Sequence, residues 1–159
     1  MNNYTDIFLK CKECAFYYLN KKRHTKKELI EKLVKREYDV SVAKEVADYL
    51  EEANYIDDYD YARRYIHDAV VIKKYGLERI KRDLFLKGVD RMVIDEVVQN
   101  MEIDTKSVLD ELIKKKALNI DFYDEKQLNK LQGFLLRRGF KFNEINDSLS
   151  EYRTKKENS

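Results

Sequence analysis

The chain has no proline and no tryptophan, and only four glycines and two cysteines among its 159 residues. Without proline, nothing in the sequence forbids a helix interior, and so few glycines leave little material for the tight turns that short-stranded sheets need. Two cysteines cannot supply a disulfide framework. No stretch of 18 apolar residues occurs, which excludes a membrane-spanning helix, and residues 1–6 lack the basic-then-apolar pattern of a signal peptide. The expectation is a soluble, cytoplasmic protein. Phosphate-loop, nucleophile and zinc-ligand spacings are also missing, so neither catalysis nor a cofactor is expected. Cys11 and Cys14 stand three apart with no histidine at ligand spacing, and read as small buried helix residues rather than metal ligands. His24 reads as a surface residue ahead of a helix cap, and His67 has no matching acid.

What the sequence does hold is 43% apolar and 39% charged residues with a formal net charge of only +2, the composition of solvated helices around a modest core. It also holds an internal repeat. Residues 1–51, 52–102 and 103–153, written under one another, give ten columns that are apolar three times over, where chance would give about four. On the first helix of each unit these are Cys11/Ala62/Ile113, Ala15/Ile66/Ala117 and Tyr18/Ala69/Ile120. On the second they are Leu29/Ile80/Leu131, Leu33/Leu84/Leu135 and Val34/Phe85/Leu136, with Tyr38/Val89/Phe140 following. On the third they are Ala43/Ile94/Ile145, Ala47/Val98/Leu149 and Leu50/Met101/Tyr152. Intervals of three and four within each set follow a 3.6-residue period, so each unit predicts three short helices around a small core.

Boundary signals agree. Thr25 and Glu28 form a capping-box pattern, and Gly88 and Gly139 share the column after the second helix, where a left-handed cap is wanted and where repeat one carries Glu37. Ser41, Asp90 and Asn143 are candidate N-caps of the third helices, Asp57 or Asp58 and Asp104 or Thr105 of the first helices. Helices are expected near residues 6–20, 25–36, 41–54, 58–74, 76–87, 90–100, 105–118, 124–138 and 143–152. The resulting fold class is all-α: three tandem three-helix repeats (1–54, 55–102, 103–153) forming an elongated curved array, with 154–159 a frayed polar tail.

Charge is segregated along this frame. Residues 21–36 carry eight bases against two acids, net +6, and residues 73–91 seven against three, net +4, whereas residues 45–60 carry seven acids and no base. The columns Lys12/Arg63/Lys114 and Arg36/Lys87/Arg138 are basic in all three repeats. One reading is a basic stripe that faces an extended anionic surface. The other is ordinary solvated helix faces with i, i+4 ion pairs. The acidic block reads as linker caps and partners for neighbouring helices, since Asp57, Asp58 and Asp60 lack calcium-loop spacing. Among the twelve tyrosines, Tyr18, Tyr38, Tyr61 and Tyr65 fall at core spacings, with the hydroxyl left wet.

The run Tyr55-Ile56-Asp57-Asp58-Tyr59-Asp60-Tyr61-Ala62-Arg63-Arg64-Tyr65 closely resembles the central signature of the RecX family, as does Tyr75-Gly76-Leu77-Glu78-Arg79-Ile80 through Leu84 to Lys87-Gly88-Val89. Arg23-His24-Thr25-Lys26-Lys27-Glu28-Leu29 with Leu33 is similar to that family's first-repeat helix, and Lys126-Gln127 with Phe134-Leu135-Leu136-Arg137-Arg138-Gly139-Phe140 to its third. The resemblance covers about residues 8–150; Thr105 to Leu118 and Glu37 depart from the pattern. It implies tandem three-helix repeats and a regulator, often an inhibitor, of the RecA recombinase that binds RecA–single-stranded DNA filaments along their groove, some members also touching DNA directly. On that reading the candidate filament- or DNA-binding residues are Lys22, Arg23, Lys26, Arg36, Lys73, Lys74, Arg79, Arg82, Lys87, Arg91, Arg137, Arg138 and Lys141, in a monomer that needs no cofactor, metal or membrane. The alternative from another class is a direct DNA reader of helix-turn-helix type, which would bind naked duplex with sequence preference. A generic helical adaptor would show neither activity.

Overall fold

The computed structural model describes residues 2–159, and these form nine helices with no strand among them. In chain order the helices are α1 (Asn3–Lys21), α2 (Lys26–Lys35), α3 (Val40–Glu52), α4 (Asp58–Val71), α5 (Leu77–Leu86), α6 (Arg91–Asn100), α7 (Thr105–Ala117), α8 (Glu125–Arg137) and α9 (Phe142–Glu157). Every helix expected from the periodicity is present, three to a repeat.

Caps explain most of the boundaries. Thr25 accepts the Glu28 N–H through Oγ1 at 3.1 Å and gives its own N–H to the Glu28 carboxylate at 3.2 Å, the reciprocal box that starts α2. Asp57 receives the Asp60 N–H at 3.0 Å, Asp90 the Met92 N–H at 2.8 Å and Asp104 the Ser107 N–H at 3.0 Å, opening α4, α6 and α7. Two caps differ from expectation. Asp39, not Ser41, caps α3, because its carboxylate takes both the N–H and the hydroxyl of Ser41. At α9 the cap position is Lys141, not Asn143; Glu144 closes the turn by accepting the Lys141 N–H at 2.9 Å. The segment expected to fray after residue 153 is helical to Glu157. Thr154 bonds back to the Ser150 carbonyl there, and Lys155 and Lys156 place positive charge in the last turn, where the helix dipole favours it.

The chain divides into two compact units, residues 1–64 with 84–99, and residues 65–83 with 100–159. In the first unit α1, α2 and α3 pack around Cys11, Ala15, Leu29, Leu33, Ala43, Val46, Ala47 and Leu50, covered by Phe8, Phe16, Tyr18 and Tyr38. In the second unit α9 packs on α7 and α8 over Leu109, Ile113, Leu131, Leu135, Ile145 and Leu149. The helices of the middle repeat contribute to both units: α4 changes membership after Arg64 and α5 after Asp83.

Of the ten apolar columns, five are buried in all three repeats and four mix buried with half-buried residues such as Tyr18, Tyr38, Val98 and Met101, but Val34/Phe85/Leu136 is exposed at 37%, 46% and 44%. Each of these residues follows a buried leucine, and one residue turns about 100° around a helix axis, off the core stripe set by Leu29 and Leu33 and their equivalents. His24, expected at the surface, is instead 5% exposed. It packs edge-on against Tyr18 and donates from Nδ1 to the Lys22 carbonyl at 2.9 Å, and burial holds its imidazolium form below the usual pKa.

Candidate interaction surface

The basic second helices and the turns that end them form the candidate surface, and the geometry of those turns decides which cations are free. In all three repeats the second residue after the second helix adopts a left-handed backbone: Glu37 (φ 69°), Gly88 (φ 93°) and Gly139 (φ 99°). The last two turns dock on the start of an earlier second helix. A Cβ on Gly88 would sit 2.4 Å from the Lys27 Cβ, and one on Gly139 2.4 Å from the Arg79 Cβ and 2.5 Å from its backbone nitrogen. Glycine at 88 and 139 is therefore required twice, for conformation and for close approach. The Glu37 side chain is exposed, and only the conformational demand applies there.

Within the first unit this docking places Lys87 on α2. Thr25 Oγ1 donates to the Lys87 carbonyl at 2.6 Å, and Lys87 Nζ pairs with Glu28 at 3.5 Å. The acidic block closes the same end of α2. Asp58 accepts the Lys26 N–H at 2.9 Å, Lys26 Nζ lies 2.6 Å from Asp48 and 3.1 Å from Glu51, and Arg23 pairs with Asp60 at 2.8 Å. Asp60 also holds Arg63 and Arg64, whose guanidinium groups keep its carboxyl below the ordinary range. Burial pushes the Asp58 carboxyl up instead.

Within the second unit the docking is backbone to backbone. The Gly76 N–H donates to the Arg138 carbonyl at 2.8 Å and the Glu78 N–H to the Gly139 carbonyl at 3.1 Å. Arg138 donates through Nη2 to the Lys73 carbonyl at 2.5 Å and through Nε to the Lys74 carbonyl at 3.3 Å. Its guanidinium group and that of Arg79 lie 5.4 and 3.9 Å from the centre of the Tyr75 ring. Arg79 also reaches Asp83 at 3.6 Å and the Arg137 carbonyl at 3.5 Å. Lys74 pairs with Glu111 at 3.3 Å and Lys141 with Glu78 at 3.8 Å.

The thirteen candidate cations thus fall into three groups. Arg23, Lys26, Lys74, Arg79, Lys87 and Lys141 are matched to carboxylates. Arg138 is spent on carbonyls. Among the described residues, Lys22, Arg36, Lys73, Arg82, Arg91 and Arg137 have no carboxylate within ion-pair distance. Several of these rest on rings: Arg36 near Tyr18, Lys73 between Tyr65 and Tyr75, and Arg91 4.6 Å from the centre of Phe85. Lys87 and Arg36 serve opposite ends of α2, since Lys87 pairs at its first turn and Arg36 follows its last; eight residues of helix separate them by about 12 Å. Counting charge along a sequence does not reveal that a recurring base is also a joint residue. The signal is the glycine directly after Lys87 and Arg138. No group of three or more His, Cys, Asp and Glu side chains suited to a metal converges among the described residues, and no described helix is long and apolar enough to cross a membrane.

Repeated three-helix units, joined through the ends of their second helices, define an all-α repeat protein. Comparison with known proteins makes the class specific. The description "RecX, first three-helix domain" matches residues 11–50, and "RecX, second three-helix domain" matches residues 57–98. The regulatory protein RecX of Clostridium tetani (strain Massachusetts / E88) is 30% identical over 150 residues, spanning 92% of this chain and 68% of that one. That of Clostridium botulinum (strain Eklund 17B / Type B) is 31% identical over 152 residues, spanning 92% and 70%. The crystal structure of RecX from Lactobacillus salivarius superposes with a TM-score of 0.76 at 22% identity, over 92% of this chain and 97% of that one. A second crystal structure of a regulatory protein RecX gives 0.78 at 20%, over 91% and 73%. The two structures share the fold. The chain belongs to the RecX family of regulatory proteins.

Proposed function

We propose that this protein regulates the RecA recombinase, binding RecA filaments on single-stranded DNA along their groove and inhibiting strand exchange and the accompanying ATP hydrolysis during recombinational repair. Family membership carries the reading. The fold supports it through a unit repeated every 51 residues, which suits a partner that is itself a repeating polymer. Each repeat, taken as 1–54, 55–102 and 103–153, presents cations at the end of its second helix, and the binding set is drawn from those without carboxylate partners: Lys22, Arg36, Lys73, Arg82, Arg91 and Arg137. The protein acts as a monomer in the cytoplasm, by occupancy and without catalysis.

The test is RecA-catalysed strand exchange and single-strand-dependent ATP hydrolysis, with and without the protein. Suppression at stoichiometric protein is expected, and absence of any effect at excess overturns the reading. The variant Arg82→Glu/Arg91→Glu/Arg137→Glu leaves both joints intact. It should weaken filament binding and flatten its salt dependence, by about 0.7 of a unit of log–log slope for each single-strand phosphate no longer neutralised.

A further inference from the structure

We infer that the last turns of α1 and α2 form a landing face for single-stranded nucleic acid, with a base stacking on Tyr17 and phosphates held by Lys21, Lys32, Lys35 and Arg36. The inference deepens the reading above by giving the repeat-one surface a ligand of its own, and its test contains no recombinase.

Aromatic rings rather than carboxylates hold the cations of this face in place. Residues 17–22 and 32–36 contain Lys21, Lys22, Lys32, Lys35 and Arg36 and no acid; Glu31 and Glu37 flank the second stretch, and Glu31 is paired with Lys27. Other bases on the same repeat or docked against it, such as Arg23, Lys26 and Lys87, are neutralised by carboxylates. Here tyrosines take that place. Lys21 Nζ lies 4.2 Å from the centre of the Tyr17 ring and donates to its hydroxyl at 2.5 Å. Lys32 Nζ and the Arg36 guanidinium lie 5.2 and 5.8 Å from the centre of the Tyr18 ring, and Arg36 Nε donates to the Tyr18 hydroxyl at 2.8 Å. The two rings stand edge to face, 5.5 Å apart. The hydrogen bond and charge of Lys21, with a smaller contribution from Arg36, hold the Tyr17 hydroxyl below its usual pKa.

A ring face orients a cation without cancelling its charge, whereas a carboxylate cancels it. The consequence is an exposed, uncompensated positive cluster around Tyr17, which is itself 48% exposed. Such a face fits a ligand that is anionic along its length and carries flat π-surfaces at intervals. A single strand has both, and its bases are free to leave their neighbours. A duplex keeps its bases stacked away from the ring, and an acidic peptide offers nothing flat to stack. Lys21 covers one face of Tyr17 by a flexible four-carbon stem whose ammonium is exposed, so a base takes that place as the ammonium swings to a phosphate.

The experiment is fluorescence anisotropy of a labelled 15-mer of thymidylate with the full chain, at 50 and 200 mM salt, for wild type, Tyr17→Phe, Tyr17→Ala and Lys21→Gln/Lys32→Gln/Arg36→Gln. All substituted side chains lie outside the fully buried core, and thermal melts check that each variant is folded. Wild type and Tyr17→Phe should bind alike. Tyr17→Ala should bind about five- to a hundredfold more weakly with the salt slope unchanged. The triple variant should lose at least about tenfold and roughly two units of slope, near 0.7 for each single-strand phosphate left without its cation. Unaltered binding by either weakened variant, no binding at 50 mM salt, or competition by a 15-base-pair duplex or by polyglutamate as strong as that of unlabelled single strand would each overturn the inference. Loss of RecA regulation alone would leave the binding result standing, so the two readings fail separately.

Discussion

The two joints between consecutive repeats use the same columns and opposite chemistry. In the first unit, positions 24, 25, 28 and 87 are His, Thr, Glu and Lys; in the second, the equivalent positions 75, 76, 79 and 138 are Tyr, Gly, Arg and Arg. The first joint is made by side chains: a threonine hydroxyl on a carbonyl and a lysine–glutamate pair that is about one-third exposed on its lysine side. The second is made by main chain and by two arginines sharing one tyrosine ring, and the missing Cβ of Gly76 lets the backbones meet. A partly exposed lysine–glutamate pair is worth little and weakens with salt, whereas guanidinium bonds to carbonyls and close backbone packing do not depend on ionic strength in the same way. The second joint should therefore be the more rigid and the more sensitive to substitution.

The sharpest way to break the contrast is Gly139→Ala. It places a methyl 2.4 Å from the Arg79 Cβ at φ 99° and should cost roughly 3 kcal/mol in urea denaturation, from left-handed strain together with overpacking. A cost near that of a surface substitution would show that the turn is not docked. Next comes Arg138→Met, expected to lose about 2 kcal/mol, against less than about 1 kcal/mol for Lys87→Met at the equivalent position. Equal losses would erase the distinction between the joints. Glu37→Gly should raise stability by about 1 kcal/mol, since the backbone there is left-handed and glycine carries no steric penalty; a fall in Tm would mean that the Glu37 side chain makes an essential interaction.

The smallest effect is a pH dependence at the first joint. Asp58 is raised chiefly by burial, so its favourable contribution is complete below the unfolded carboxyl range and is lost as pH rises through its folded value. Asp58→Asn keeps the acceptor for the Lys26 N–H and removes the buried charge. It should be slightly more stable than wild type at pH 7 and indistinguishable near pH 3, and the reverse trend in thermal melts would refute the assignment.

Much of this fold is legible in the sequence, because helix cores are written locally. The intervals joining Cys11 to Ala15 and Leu29 to Leu33 specify faces that the structure buries, and Thr25-x-x-Glu28 announces its cap in four residues. The repeat alignment misleads at Val34/Phe85/Leu136, where recurrence suggests burial although the residues lie a helical step off the stripe. His24 escapes sequence reading because its burial is decided by Tyr18 and by chain docking nearby, neither of which is a sequence neighbour in pattern. The candidate surface is half legible. A recurring base is visible in an alignment, but whether it faces solvent, a carboxylate or a carbonyl depends on residues some 60 positions away, as Thr25 with Lys87 and Lys73 with Arg138 show.

The left-handed turn after each second helix also encodes order. A copy of the first repeat moved behind another would bring the Glu37 Cβ to the place where Gly88 and Gly139 leave none, and the collision would stop it from seating. In a shuffled or duplicated version of this chain, glycine in this column lets a unit dock behind another, and a first repeat placed there is expected to need Glu37→Gly before it seats.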